Sequence, residues 1–181
     1  MSKRATSEPA WRAPVSVSAI PETGQRLDLV ADAQTREAIA KAAGVVALPR
    51  LKAQFDLMRV GNDGLRVSGR VTATVVQNCV VTLEPIESEI DEAVDLIFTP
   101  DAAAVGEAAG LQSAEAGDPP APLRNGLADL GAVATEFLLL GIDPYPRKPG
   151  AVFDTAPAGD PSHRPFEALQ ALKKGQNPKD P

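Results

Sequence analysis

The sequence has few of the residues that most often carry chemistry. It contains one cysteine, Cys79, and one histidine, His163, in 181 residues, and aromatic residues make up only 4%. One cysteine cannot form an internal disulfide, and a metal site needs several ligands. The motifs G-x-G-x-x-G, H-E-x-x-H and G-x-S-x-G and the P-loop are absent from the sequence. We therefore expect a protein that is not an enzyme, with no metal, no cofactor and no small-molecule substrate.

Long apolar segments are also missing. The longest run, Phe137 to Ile142, is far shorter than the roughly 20 residues that a membrane span needs. The opening residues, MSKRATSEPAWRAP, lack the apolar stretch of a secretory signal. We expect a cytoplasmic protein that does not bind a membrane.

Basic residues are outnumbered by acidic ones, and the net charge is −6. Proteins that bind nucleic acid through its phosphates usually present a basic face. An acidic chain is better suited to a basic partner, although a local basic patch could still contact RNA.

What the sequence does contain is a clear alternation of apolar and polar residues, which predicts an antiparallel meander. The residues expected to face inward fall into three sets: Leu51, Ala53, Phe55 and Leu57; Leu65, Val67, Val71, Ala73, Val75 and Cys79; Ile86, Ile90, Val94, Leu96 and Phe98. The stretch GNDG between the first two sets predicts a hairpin with a three-residue loop, 62–64, in which Gly64 takes a positive φ. The segments PVSVSAI and QRLDLV predict two shorter strands.

Three segments predict helices. DAQTREAIAKAAG begins with the N-cap Asp32 and ends at Gly44. DLGAVATEFLLLGI begins at Asp129, and its apolar face, which includes Leu130, should cover the sheet. RPFEALQALKKG predicts a short third helix, which Pro165 begins and in which Phe166, Leu169 and Leu172 share one face.

Together these elements predict an α+β fold, an antiparallel β-meander sheet of about five strands covered by two or three helices, with flexible acidic and Pro-rich linkers. The expected organisation is a disordered tail at 1–13, a single domain at 14–153 with a flexible loop at 100–124, a linker at 154–164, the C-terminal helix at 165–175 and a disordered tail at 176–181.

Cys79 is the first candidate site. Its position in the alternation closes the inward face of a strand, where a small, soft residue packs well. A nucleophilic Cys–His pair would require His163, which lies in a distant proline-rich linker. We interpret Cys79 as structural.

Acidic residues on one strand form the second candidate site. Glu87, Glu89, Asp91 and Asp95 are expected to point outward. They could pair across strands with Arg66 and Arg70. They could also form an acidic docking face for a basic protein.

The proline-rich turn DPYPRKPGA is the third candidate site. Tyr145, Arg147 and Lys148 place an aromatic ring beside two basic groups, which could contact a base and a phosphate backbone. The same pattern suits a loop that its prolines hold in an extended form.

Three segments in order, QNCVVTLEPIESEIDEAVDLIF, DLGAVATEFLLLGIDPYPRKPGA and RPFEALQALKK, resemble the YceD-like family, known as the large ribosomal RNA subunit accumulation protein. The resemblance covers residues 70 to 174. Many members have C-x-R-C-L-x-P in the first segment; here Cys79 and Pro85 match it, whereas Val81 and Thr82 replace the arginine and the second cysteine. The resemblance implies structural roles at the motif positions Cys79, Pro85, Asp129, Leu130, Pro144, Pro146, Pro165, Phe166, Leu169 and Leu172.

The resemblance further implies a role in accumulation or processing of 23S ribosomal RNA, and hence in large-subunit assembly, without catalytic activity. Because the chain is acidic, we expect a binding factor for a basic ribosomal protein or an assembly intermediate. The alternative is direct binding of the 23S rRNA precursor through local basic patches. A nuclease is the third possibility, but it would need carboxylates clustered around metal ions in a cleft.

Overall fold

The computed structural model describes residues 9–61, 63–100 and 121–153. The chain divides into two units, Met1–Pro149 and Gly150–Pro181, and all the elements below belong to the first. The predicted C-terminal helix, with Pro165, Phe166, Leu169 and Leu172, lies outside the described residues. So do the linker at 154–164 and most of the predicted acidic loop.

The centre of the fold is a five-stranded sheet, flanked by a small two-stranded one. The large sheet has the strand order β2 (Gln25–Val30), β3 (Ala47–Val60), β4 (Gly64–Asn78), β5 (Pro85–Thr99) and β6 (Ala121–Pro122). In the second sheet β1 (Pro14–Ser16) pairs with β7 (Leu127–Asp129). The α+β class and the strand number are as predicted, but the sheet is not a pure meander, because the short β6 runs parallel to the end of β5.

Two α-helices are present in the described part of the chain, and both begin at the predicted caps. The Asp32 side chain accepts a hydrogen bond from the Thr35 amide at the start of α1 (Ala33–Ala43), and Gly44 ends the helix with a φ of 69°. Asp129 accepts from the amides of Gly131 and Ala132 at the start of α2 (Leu130–Gly141). Such caps satisfy backbone donors that the first helical turn leaves without partners. Neither helix has the length and apolar character to cross a bilayer.

The predicted alternation places the core on one face of the sheet. Odd-numbered apolar residues of β3 and β4, such as Phe55 and Val71, are buried, and so are even-numbered ones of β5, such as Val94. Buried residues of both helices, including Ile39 and Leu138, join the same cluster. The other face of the sheet, which we call the outer face, carries the polar residues of the strands.

The β3–β4 hairpin differs from the prediction by one residue. Val60 pairs with Gly64, so the loop spans 61–63, of which 62 is not among the described residues. The left-handed backbone conformation belongs to Gly61, with a φ of 63°, and not to Gly64. The loop still has an odd length, which keeps odd residues inward on both strands.

Described residues at the ends of two predicted irregular segments belong to the fold. Trp11 is 8% exposed and belongs to the core, and the Ala13 amide donates to Asp129. Residues 11–13 are therefore part of the fold, and the prediction of a tail reaching residue 13 is wrong there. At the other segment, Ala121–Pro122 forms β6 within the predicted loop at 100–124.

Candidate functional site

A tight turn at 79–84 connects β4 to β5. The Cys79 amide donates to the Glu84 carbonyl at 2.8 Å, and the Leu83 amide donates to the Cys79 carbonyl at 2.9 Å. Leu83 has a φ of 61°, a conformation that strains residues other than glycine, and its side chain is 75% exposed. The turn thus holds an exposed apolar side chain in an unfavourable backbone conformation, and such conformations cluster at functional sites.

The loop after α2 packs against this turn. The Val80 amide donates to the Pro146 carbonyl at 2.9 Å, and Pro146 is buried. The Lys148 ammonium donates to Glu84 at 2.7 Å. We call residues 79–84 and 143–148 the turn–loop site. Sequence reasoning treated these two segments as separate candidates, because backbone hydrogen bonds between distant segments leave no pattern in the sequence.

The sulfur of Cys79 lies between the two parts of the turn–loop site. It is fully buried and accepts hydrogen bonds from the amides of Lys148, at 3.3 Å, and Thr82, at 3.5 Å. The Lys148 hydrogen bond, followed by those from Thr82, lowers the pKa of the thiol to about 6, although burial opposes the shift. The predicted burial is confirmed, but Cys79 is also a hydrogen-bond acceptor that joins the turn to the loop.

Thr82, at the second cysteine position of the family motif, contributes an amide and a hydroxyl to this turn. Its hydroxyl accepts a hydrogen bond from the Glu84 amide. Within the described residues, no group of three or more His, Cys, Asp or Glu side chains could hold a metal ion.

The four acidic residues of β5 that were predicted to point outward lie on the outer face, and two of them form the predicted pairs with β4. Arg66 donates twice to Asp95, at 2.7 and 2.9 Å, and Arg70 donates to Asp91 at 2.6 Å. The Arg66 hydrogen bonds lower the pKa of Asp95. All four side chains are more than half exposed, so each pair adds little to stability.

A third acidic residue takes part in a contact that spans three strands. Glu89 accepts from the Thr74 hydroxyl of β4 at 2.7 Å and from Arg50 of β3 at 2.8 Å. Thr74 lies opposite both residues in the strand register, so the three side chains form one row across the sheet. The Thr74 hydrogen bond and then the Arg50 contact lower the pKa of Glu89. Sequence reasoning missed Arg50 because its partner lies two strands away.

Glu87 differs from the other three acidic residues. It is exposed and lies opposite Val76, and no hydrogen bond or ion pair to it occurs among the described residues. Glu92, on the inward side of β5, is half-buried beside Gly141 at the end of α2. β5, which we call the acidic strand, therefore combines paired carboxylates with Glu87, which has no basic partner among the described residues.

The basic residues of the turn–loop site are not equivalent. Lys148 is paired with Glu84, which raises the pKa of the lysine and lowers that of the glutamate. Arg147 is exposed, and Tyr145 is 71% exposed. Tyr145 and Arg147 are thus accessible to a ligand, whereas Lys148 already has an acidic partner.

These features define an α+β protein with a mainly antiparallel sheet, a polar outer face and a hairpin turn that is hydrogen-bonded to a proline-rich loop. The family model described as large ribosomal RNA subunit accumulation protein YceD matches residues 67–178. The chain therefore belongs to the YceD family, as the three sequence segments indicated. The match includes β5, α2 and both halves of the turn–loop site. Searches of curated proteins and of solved structures found no match.

Proposed function

We propose that this protein supports the accumulation of 23S ribosomal RNA as a non-catalytic binding factor in the cytoplasm, and that it contacts a basic ribosomal protein or a large-subunit assembly intermediate. The description of its family supports a role in the accumulation of large ribosomal subunit RNA. The mode of action is our inference from the surfaces described above.

The observation that carries this proposal is the distribution of charge around β5. Arg50, Arg66, Arg70 and Lys148 already contact carboxylates. An RNA phosphate would have to compete with those carboxylates for each cation. A lysine or arginine of a protein partner would instead meet Glu87, and it could also share the paired carboxylates, since each carboxylate can accept several hydrogen bonds.

The state of Cys79 supports a non-catalytic role. A cysteine nucleophile or redox centre must be reachable by its substrate. The Cys79 sulfur is fully buried and already accepts two backbone hydrogen bonds. Its low pKa is therefore better explained by its part in holding the turn–loop site together.

Direct binding of the 23S rRNA precursor is the second candidate, and Tyr145 and Arg147 favour it. An exposed aromatic ring can stack on a base, and a neighbouring arginine can contact a phosphate. Both residues lie in the turn–loop site, within the region that the family model matches.

Recovery of partners from cells separates the two candidates. We would capture the tagged full-length protein, with and without RNase, as wild type, Glu87→Lys and Arg147→Glu. Glu87→Lys disturbs none of the observed ion pairs, and Arg147→Glu is its matched charge reversal at the competing site. We expect protein partners that survive RNase, a several-fold lower recovery of them with Glu87→Lys because their association is slower, and little change with Arg147→Glu. Loss of all partners with RNase, together with loss of binding in Arg147→Glu, would instead support direct RNA binding.

A further inference from the structure

One edge of the large sheet has almost no strand beside it among the residues that the structure describes. β5 pairs with β4 along nearly its whole length, but on its other side β6 pairs only with Phe98 and Thr99. From Pro85 to Ile97, no other strand of the described part of the chain pairs with that edge. A strand edge of this length is a template for pairing with another chain.

The direction of the backbone groups along this edge follows from the end of β5. The Thr99 carbonyl accepts from the Leu123 amide at 3.0 Å, so the backbone of Thr99 points away from β4. Residues of an antiparallel strand alternate in which neighbour their amide and carbonyl face, and the β4–β5 register has no shift. The residues with amide and carbonyl groups directed to the open edge are therefore Glu87, Glu89, Asp91, Ala93, Asp95 and Ile97.

The same odd-numbered residues place their side chains on the outer face. An added strand would therefore bring every second side chain next to the carboxylates of Glu87, Glu89, Asp91 and Asp95. The arginines that pair with three of these carboxylates come from β3 and β4, on the far side of β5 from the open edge. A partner with basic residues at alternate positions fits this side.

A second copy of this chain fits poorly. Symmetric antiparallel pairing of two β5 strands centred on Asp91 would place Asp91 opposite its counterpart and Glu87 opposite Asp95. Like charges directly opposite each other destabilise a strand pair, and charged edge residues are a common means of preventing self-association. The half-buried Glu92 on the inward side has the same effect.

On the inward side of the sheet, the end of α2 lies close to β5 and carries exposed apolar residues. Gly141 lies so close to β5 that a Cβ atom there would come within 2.7 Å of Ile90. The neighbouring residues Leu139 and Leu140, in the last turn of α2, are exposed. Ile90 itself is buried, so the exposed apolar surface nearest to Gly141 in the chain is that of Leu139 and Leu140.

We propose that β5 is the docking site for an extended, lysine- or arginine-rich segment of a protein partner, which adds to the sheet as a further strand beside residues 87–97. Backbone hydrogen bonds would supply affinity, and the acidic outer face would select basic side chains. The inference rests on the proposed function in requiring a basic protein partner, and it adds the mode of binding.

Hydrogen exchange of the full-length protein tests the pairing directly. The probe is a synthetic peptide that alternates lysine and valine, and the readout is the exchange rate of each β5 amide by NMR. We expect the odd-numbered amides from 87 to 97 to slow when the peptide is added, while the even-numbered ones, already bonded to β4, do not change. No slowing, or equal slowing at both parities, would refute strand addition. Slow odd-numbered amides in the free protein would refute it as well, because the edge would already be occupied.

A pair of proline variants provides an independent test. Ala93→Pro removes an amide that faces the open edge without removing a β4 hydrogen bond. The matched control is Val30→Pro on β2: Ala31 donates to Leu51 of β3, so the exposed Val30 presents its amide to the opposite edge of the sheet. We expect peptide binding to weaken about tenfold or more for Ala93→Pro and to stay near wild type for Val30→Pro. Equal binding by both would contradict the proposal.

The outcomes separate the binding mode from the function. One possible result is that cells yield a protein partner that Glu87→Lys does not bind, while the odd-numbered amides still exchange fast in the presence of the peptide. This result would support a basic protein partner and would refute strand addition. If Ala93→Pro does not fold, as judged by circular dichroism, the exchange experiment on the wild-type protein decides alone.

Discussion

At the residue scale, Cys79 combines burial with a low pKa. Because the folded protein lowers the pKa of the thiol from its ordinary 9.0 to about 6, the thiolate is favoured in the folded state. Its contribution to stability is therefore full above pH 9, declines as the pH falls and is lost below about pH 6. The sequence could show that Cys79 faces inward, but not that two amides from distant positions point at its sulfur.

We predict that the stabilising effect of Cys79 depends on pH. Cys79→Ser should fold, because serine can accept the same hydrogen bonds. The difference in melting temperature between wild type and Cys79→Ser should grow as the pH rises from 6 to 9. Thermal unfolding at several pH values measures it. A difference that does not change with pH would show that the sulfur stays protonated.

Leu83 provides a second test at this scale. Leu83→Gly should raise the free energy of unfolding by about 1 kcal/mol, because glycine adopts the left-handed conformation without strain. Leu83→Ala is the control, since it removes the exposed side chain but keeps the strain. Chemical denaturation of both variants separates the two effects. A Leu83→Gly variant that is less stable than Leu83→Ala would show that the backbone is not strained, because the greater flexibility of unfolded glycine alone lowers stability.

At the scale of elements, the ion pairs of β5 decide how the acidic strand responds to mutation. Asp91→Lys would place a lysine beside Arg70, whereas Glu87→Lys meets no basic neighbour among the described residues. We expect a lower denaturation midpoint for Asp91→Lys than for Glu87→Lys, and a smaller difference at high salt, because salt screens exposed charges. Equal midpoints at low salt would contradict the observed pairing.

The strands and helices themselves were largely predictable. Alternation identified the inward residues of β3, β4 and β5, and Asp32, Gly44 and Asp129 marked helix ends, because these signals are local. Trp11 was missed because a single aromatic residue among polar ones has no period, and β6 because two residues are too few for a pattern. In GNDG two glycines compete for one left-handed position, and sequence reasoning chose the wrong one.

At the scale of the whole molecule, the net charge of −6 favours a basic partner. The structure shows how the negative charge is distributed on β5. The acidic strand is not a uniform negative surface, because arginines neutralise three of its carboxylates. Two features distinguish β5: Glu87 has no basic partner among the described residues, and residues 85–97 have no described strand on the side away from β4. Which side chains pair across strands depends on the register of the strands. The sequence pattern predicts only whether a residue lies on the inward or the outer face, and not which residue lies opposite it.

The central claim is that the protein acts on 23S rRNA through a basic protein partner bound at the acidic strand. The most direct measurement is the accumulation of 23S rRNA in cells whose only copy of this protein is wild type, Glu87→Lys or Arg147→Glu, with the amount of each variant checked. We predict reduced accumulation with Glu87→Lys and normal accumulation with Arg147→Glu. Normal accumulation with Glu87→Lys and loss with Arg147→Glu would contradict the claim and favour direct RNA binding.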